Sequence, residues 1–211
     1  MSLLKREFKT LFFIILATGA SLVFLTHRSY KIDSRVFSAL PDFPTPTPTL
    51  IMPGPIQEAS MDSPDGTRTL TMEKQQIEDS VKYSFFTSVK SEKAKQLVFR
   101  KEEASFQSLS IPYNTWSPDN IYAFIKEASP VVNNYYVFFT SENSFPDGSP
   151  YLNIQSFFTK KVSGYSILEV TGWAAPNLLI INAKENEGEK KVSFWFDVPS
   201  QSFIQLGTYF N

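Results

Sequence analysis

The chain has 211 residues, 42% of them hydrophobic, with 20 Phe, 9 Tyr and 3 Trp, and a formal net charge of −1. That suffices for one domain with a core plus accessory segments, and the aromatic excess leans toward strands, because flat, bulky side chains pack well on pleated surfaces. The absence of cysteine and the single histidine, His27, exclude disulfides and thiolate chemistry, and leave the chain beyond His27 without a Ser-His-Asp arrangement or a His-held metal.

The first segment is basic and then apolar. Lys5, Arg6 and Lys9 precede LFFIILATGASLVFL at residues 11–25, which carries no charge. At about 1.5 Å per residue, a helix from Thr10 to His27 spans roughly 27 Å, enough for a thin bilayer if Lys9 and Arg28 reach outward to the headgroups. A cleaved signal peptide shares this design, with Thr18-Gly19-Ala20 as a small-residue site, but that site lies inside the apolar run and LVFL still follows it. An uncleaved anchor is therefore the expectation: residues 1–9 a cytoplasmic basic stub, residues 10–28 a transmembrane helix, and the rest extracytoplasmic by the positive-inside bias. Arg28, Lys31 and Arg35 on the outer flank pull against that orientation.

Residues 29–49 read as a spacer. In LPDFPTPTPTLIMPGP, residues 40–55, proline alternates with threonine; proline fixes φ and removes a donor, so this stretch is extended or structureless rather than helical.

From residue 50 to residue 211 the chain reads as all-β with an internal repeat. Pro64, Pro118 and Pro176 are 54 and 58 residues apart, and each is followed by a strand: TRTLTM, IYAFIK, LLIINA. A second, aromatic strand begins 17 to 19 residues beyond each proline, in YSFFTS, YVFFTS and SFWFDV. Third strands are expected in QLVFRK, LNIQSFFT and SFIQLGTYF, and a fourth before each next turn, in SLSI and SILEV. The expected repeats are 61–114, 115–172 and 173–211. Four short strands in about 55 residues is the cadence of antiparallel propeller blades.

The turns have a local logic. In Ser63-Pro64-Asp65-Gly66 and Ser117-Pro118-Asp119-Asn120, proline presets φ, aspartate bonds its own backbone two residues on, and Gly66 or Asn120 tolerates positive φ. The third copy keeps only Pro176-Asn177. After Asn120, Ile121, Ala123 and Ile125 face one way and Tyr122 and Phe124 the other, the pattern of a strand buried on both faces. Trp116-Ser117-Pro118-Asp119-Asn120 running into IYAFIKE, with Ser-Pro-Asp-Gly at 63–66, resembles the PD40 or TolB-like β-propeller repeat, a WD40-like unit, over roughly residues 50–211. The resemblance implies a rigid binding platform and transfers no catalytic residue.

Chemistry is scarce. No spacing singles out a carboxylate pair for glycosidase work, and most acidic residues fall in turn-like segments. ENEGE, residues 185–189, lacks alternating calcium ligands and reads as a hairpin between NLLIINA and KVSFWF. No glycine loop cradles a phosphate. With 14 Lys or Arg against 17 Asp or Glu in residues 61–211, no nucleic acid partner is expected. Trp116 and Trp173 are candidates for packing between repeats or for a stacking platform that takes sugar or peptide; Tyr135, Tyr136 and Tyr151 share the ambiguity. The reading is a membrane-anchored, extracytoplasmic protein-binding or scaffold domain without cofactor or metal; the alternatives are a carbohydrate or cell-wall module and a carboxylate-only glycosidase. Three repeats leave open sheet edges. A compact monomer closed by Leu50 to Met52 beside the last strand is expected, with a two-fold dimer as the alternative.

Overall fold

The computed structural model describes residues 53–92 and 94–210. Residues 10–28, on which the transmembrane expectation rests, and Leu50 to Met52, on which internal closure rests, lie outside them. Among the described residues no helix is long and apolar enough to cross a membrane.

The strands form three four-stranded antiparallel sheets, each a meander in which sequence neighbours pair. The first holds β1 (Gln57–Asp62), β2 (Arg68–Ile77), β3 (Ser80–Val89) and β4 (Lys95–Ala104). The second holds β5 (Ser108–Ser110), β6 (Tyr122–Ala128), β7 (Asn134–Phe139) and β8 (Tyr151–Asn153). After helix α1 (Ile154–Lys161), the third holds β9 (Tyr165–Ala175), β10 (Leu178–Glu185), β11 (Lys191–Asp197) and β12 (Ser202–Gln205). The strand order after each turn follows the expected repeat, but the sheets are phased differently. The strand before each turn pairs across it with the strand that follows, as Met61 pairs with Leu70 and Trp116 with Ala123. SLSI, which is β5, and SILEV, within β9, therefore open a sheet instead of closing the previous one.

Two expectations at the strand level are corrected. LNIQSFFT is not one strand: pairing stops at Asn153, whose side-chain oxygen accepts from the Ser156 N–H at 2.9 Å and caps α1. Ile154 and Phe158, one helical turn apart, are fully buried, and the helix points this pair into one core. In SFIQLGTYF only Ser202–Gln205 pairs as a strand. Residues 206–210 instead fold back over the third sheet, where the Leu206 N–H bonds Ser193 O, the Ser193 N–H bonds Thr208 O, and the Asn182 side chain donates to Phe210 O.

The core has two parts that share the second sheet. Leu70, Val81, Tyr83, Phe85 and Phe99 of the first sheet meet Ala123, Ile125, Tyr136 and Phe138 of the second. On the other side, Tyr122, Phe124, Tyr135 and Val137 meet Leu179, Ile181, Phe194 and Phe196 of the third, together with Phe158 of α1. The alternation along β6 is thus the one read from the sequence, with two apolar faces because a sheet lies on each side. Ile121 departs from it: it sits in the turn, 46% exposed. The other face of the first sheet is mixed, with Thr69, Thr71, Glu73, Lys82 and Ser84 on the alternate positions of β2 and β3 around Phe86, which stands opposite Thr71.

Candidate functional site

The turns build the site. Ser63 Oγ donates to Asp65 at 2.7 Å and accepts the Arg68 N–H at 3.0 Å, while the Asp65 carboxylate accepts the Thr67 N–H. The network recurs 54 residues on: Ser117 Oγ donates to Asp119 at 2.7 Å and accepts the Tyr122 N–H at 2.9 Å, and Asp119 accepts the Ile121 N–H. Gly66 and Asn120 occupy the left-handed region at φ 71° and 60°, as position four of these turns requires. Backbone bonding from Thr67, then the Ser63 hydroxyl, holds the Asp65 carboxyl below its ordinary value. The third turn has neither Ser nor Asp and closes as a two-residue hairpin, Ala175 pairing with Leu178 across Pro176-Asn177; the Asn177 amide donates to Asp197 at 2.6 Å.

Each tryptophan at a turn reaches back one sheet. Trp116 Nε1 donates to Met61 O at 3.1 Å, and Trp173 Nε1 donates to Thr115 O at 3.1 Å. Met61 and Thr115 both lie three residues before their turn proline, so one tie is used twice. Trp116 is buried, 5% exposed. Trp173 is half-buried, its ring stacked on Tyr122 at 6.1 Å and 17°.

Where the three turn ends converge, an open cleft of about 780 Å³ forms. Its walls are Met61, Asp62 and Pro64 from the first sheet, Tyr113, Asn114, Trp116 and Pro118 from the second, and Thr171, Gly172, Trp173 and Ile180 from the third, with Phe210 of the folded-back tail. Tyr113 is 86% exposed at its rim. Asn114 bridges the second and third sheets by donating to Thr171 O at 3.2 Å. The approach is so close that a Cβ on Gly172 would stand 2.9 Å from the Asn114 Cβ. Asp62, the one carboxylate in the lining, is held ionised first by Lys90 at 2.7 Å and then by Thr69. Such a lining offers apolar and aromatic surface with backbone polar groups, suited to binding, and supplies no acid–base pair.

The tyrosines go elsewhere. Tyr135 is buried in the core between the second and third sheets, where burial raises its hydroxyl pKa above 10.0. Tyr136 lies in the core between the first and second sheets, and Tyr151 is a partly exposed ring edge-on to Tyr136 at 5.4 Å. Trp116 and Trp173 are therefore brought together at the cleft, and Tyr135, Tyr136 and Tyr151 are not among its lining residues.

Around Tyr136 the structure assembles a charged cluster that the sequence reading missed. Lys101 on β4 pairs with Glu127 on β6 and with Glu103 at 2.5 Å, and bonds the Tyr136 hydroxyl at 2.7 Å. Tyr136 in turn donates to Glu127 at 2.6 Å, and Asn134 donates to its other oxygen at 2.9 Å. Burial alone raises a carboxyl pKa, but the Lys101, Tyr136 and Asn134 donors together outweigh it and hold Glu127 below 4.5. Burial similarly opposes the Lys101 charge, and its hydrogen bonds to Glu103, Glu127 and Tyr136 push it above 10.5. Tyr136 is pushed up to about 12 by burial and by the Glu127 carboxylate. Glu127 is held as an anion against the Lys101 ammonium, which also contacts Glu103 on its own strand, and the Lys101–Glu127 pair ties the first sheet to the second. Among the described residues no group of three or more Asp, Glu, His or Cys converges on a metal-sized site. No protein-family model matches the chain, and neither the curated proteins nor the solved structures contain a match to it.

Proposed function

We propose that this protein is a membrane-tethered, extracytoplasmic binding module whose three blade-like sheets present the cleft at their turn ends to another protein. The single observation that carries this reading is that cleft: three sheet ends, two indoles, an exposed tyrosine and two turn prolines face one open volume. Aromatic and proline-lined concavities with few charges are the surfaces on which extended peptide segments dock. Catalysis is disfavoured by the chemistry, since the cleft lining holds one carboxylate, already paired with Lys90, and the chain has no cysteine and no histidine beyond His27.

The carbohydrate reading needs an indole face laid open, and Trp116 does not present one at 5% exposed; Tyr113 is the ring best placed for either ligand. The test is capture by the full chain under mild cross-linking, wild type against Tyr113→Ala. With Tyr113 86% exposed, truncation leaves stability within about 0.5 kcal/mol, so loss of a captured protein reports binding. Capture that is indifferent to Tyr113→Ala counts against the cleft, and saturable binding on a glycan panel in place of protein capture moves the reading to a cell-wall module. Membrane tethering is tested separately by carbonate washing and protease accessibility. A soluble mature form beginning near Ser21 would replace the anchor with a cleaved signal peptide.

A further inference from the structure

We infer that the edge of β1 left unpaired among the described residues is a strand-addition site, and that it takes an extended peptide alternating apolar with hydroxyl or basic side chains, with a cation placed opposite Glu58. The inference rests on the cleft-binding reading and names the chemistry of what enters it.

Open sheet edges are liabilities that proteins blunt, and comparing the edges singles out β1. β5 and β8 are three residues each, and β12 is four. β9 pairs with β10 through three register shifts, and β4 carries a bulge opposite Phe85 and Phe86 together with Lys95, Arg100, Lys101, Glu102 and Glu103. β1 has no register shift and no basic residue, and its only charges are Glu58 and Asp62. Its six residues pair with β2 in unbroken register, and five of the six are exposed.

The direction of its unpaired groups follows from the ladder. The Ser63 N–H bonds Arg68 O at 2.9 Å, which makes Ser63, Met61, Ala59 and Gln57 the residues that face β2. By the two-residue period, Glu58, Ser60 and Asp62 turn their N–H and C=O groups away from it. A strand laid antiparallel on that edge bonds those three residues. Its side chains opposite Ala59 and Met61 lie on the face toward Trp116, where Met61 packs against the core, and are apolar. Those opposite Glu58, Ser60 and Asp62 lie on the polar face. Asp62 is already engaged by Lys90 and Thr69. Glu58 is 59% exposed with Lys95 at 3.8 Å, so the added strand gains most from a cation there. A second copy is the poorer occupant. Two-fold pairing of β1 about Ser60 sets Glu58 opposite the other copy's Asp62 twice, and like charges directly opposite are unfavourable. The upper end of β1, at Met61 and Asp62, opens into the cleft, so one extended segment occupies both.

The experiment uses the full-length chain in detergent micelles and a capped peptide with the core threonine-valine-threonine-valine-lysine. Amide hydrogen exchange at Glu58, Ser60 and Asp62 is read by NMR. Saturating peptide is expected to slow exchange at these three amides at least tenfold while Gln57, Ala59 and Met61 stay as they were. Replacing the central threonine of the peptide by proline removes a donor and abolishes the effect. The Glu58→Lys variant binds the lysine peptide at least fivefold more weakly and prefers the same peptide ending in glutamate, a reversal that misfolding cannot imitate. Binding that leaves the three amides unprotected overturns the proposal, as does equal affinity for the proline peptide. Protection without peptide that grows with protein concentration also overturns it, in favour of a second copy. Partner capture that depends on Tyr113 but leaves β1 unprotected removes strand addition and leaves the cleft reading standing.

Discussion

Replacing Lys101 with methionine isolates the energetics of the buried ionic cluster. Glu127 is 1% exposed and bound by Lys101, Tyr136 and Asn134; the substitution keeps the aliphatic stem but leaves the carboxylate with two neutral donors. Breaking a buried pair from one side costs about 3–5 kcal/mol because a charge is stranded, and the 31% exposure of the Lys101 side chain argues for the lower end. At about 2–4 °C per kcal/mol for a domain of this size, a loss of about 3 kcal/mol lowers Tm by roughly 6–12 °C near neutral pH. The sign with pH follows from linkage. In the wild type Glu127 is held below 4.5, so its contribution is present above that value and is lost as pH falls through its depressed folded value. The Lys101 contribution is full below 10.5 and is lost as pH rises through its elevated one. In Lys101→Met the carboxylate has lost its cation, its folded pKa rises, and protonation relieves the strain, so the deficit shrinks on going from pH 7.5 to pH 5. Lys101→Met/Glu127→Gln recovers the part of the loss that belongs to Glu127, because that pair is then uncharged, while Glu103, whose side chain is 8% exposed, still lacks its ammonium. Urea titrations of the four species at both pH values measure the coupling. A deficit under about 1 kcal/mol, or one that does not change with pH, would refute a desolvated Glu127.

Four further outcomes follow from individual contacts. Gly172→Ala loses about 1–3 kcal/mol in denaturant titration, because φ is 144° and the new Cβ meets the Asn114 Cβ at 2.9 Å. Ser117→Ala costs about 1–2 kcal/mol and Ser63→Ala less by the same assay: the two hydroxyls make the same turn bonds, but the Tyr122 N–H that Ser117 accepts is in the more buried environment. Asn153→Ala loses the N-cap of α1, worth about 1 kcal/mol, seen as a lower Tm with β-sheet circular dichroism unchanged. Trp195→Phe is neutral or stabilising by up to about 1 kcal/mol, since the indole N–H is buried with no acceptor among the described residues; a loss above 2 kcal/mol would mean that it has one.

Legibility varied with the range of the interaction responsible. The turns were readable because their causes are local: Ser, Pro, Asp and a Gly or Asn within four residues close their own hydrogen bonds, and Gly66 and Asn120 take the backbone conformation their chemistry permits. The two-sided burial of β6 was readable because alternation is a one-strand property. Helix α1 was misread although signals were present, an Asn cap at 153 and Ile154 and Phe158 one helical turn apart; the aromatic run outweighed them. The phase of the sheets was misjudged because a repeat counted from its prolines has no marked origin.

What the sequence determined by itself was the β character of residues 53–210, the strand order after each turn and the lack of His or Cys chemistry beyond His27, all of which depend on composition or on contacts a few residues long. Only the tertiary structure decided the rest. Lys101 and Glu127 are 26 residues apart on different sheets, and nothing near either one announces the other. Trp116 reaches Met61 across 55 residues and Trp173 reaches Thr115 across 58. The cleft is a volume between chain segments, and that β1 pairs on one side only among the described strands is recognisable only once the sheet is assembled. A sequence encodes local torsional and burial preferences directly. Voids, edges and buried ion pairs arise from how separate elements pack, and become visible only when those elements are in place.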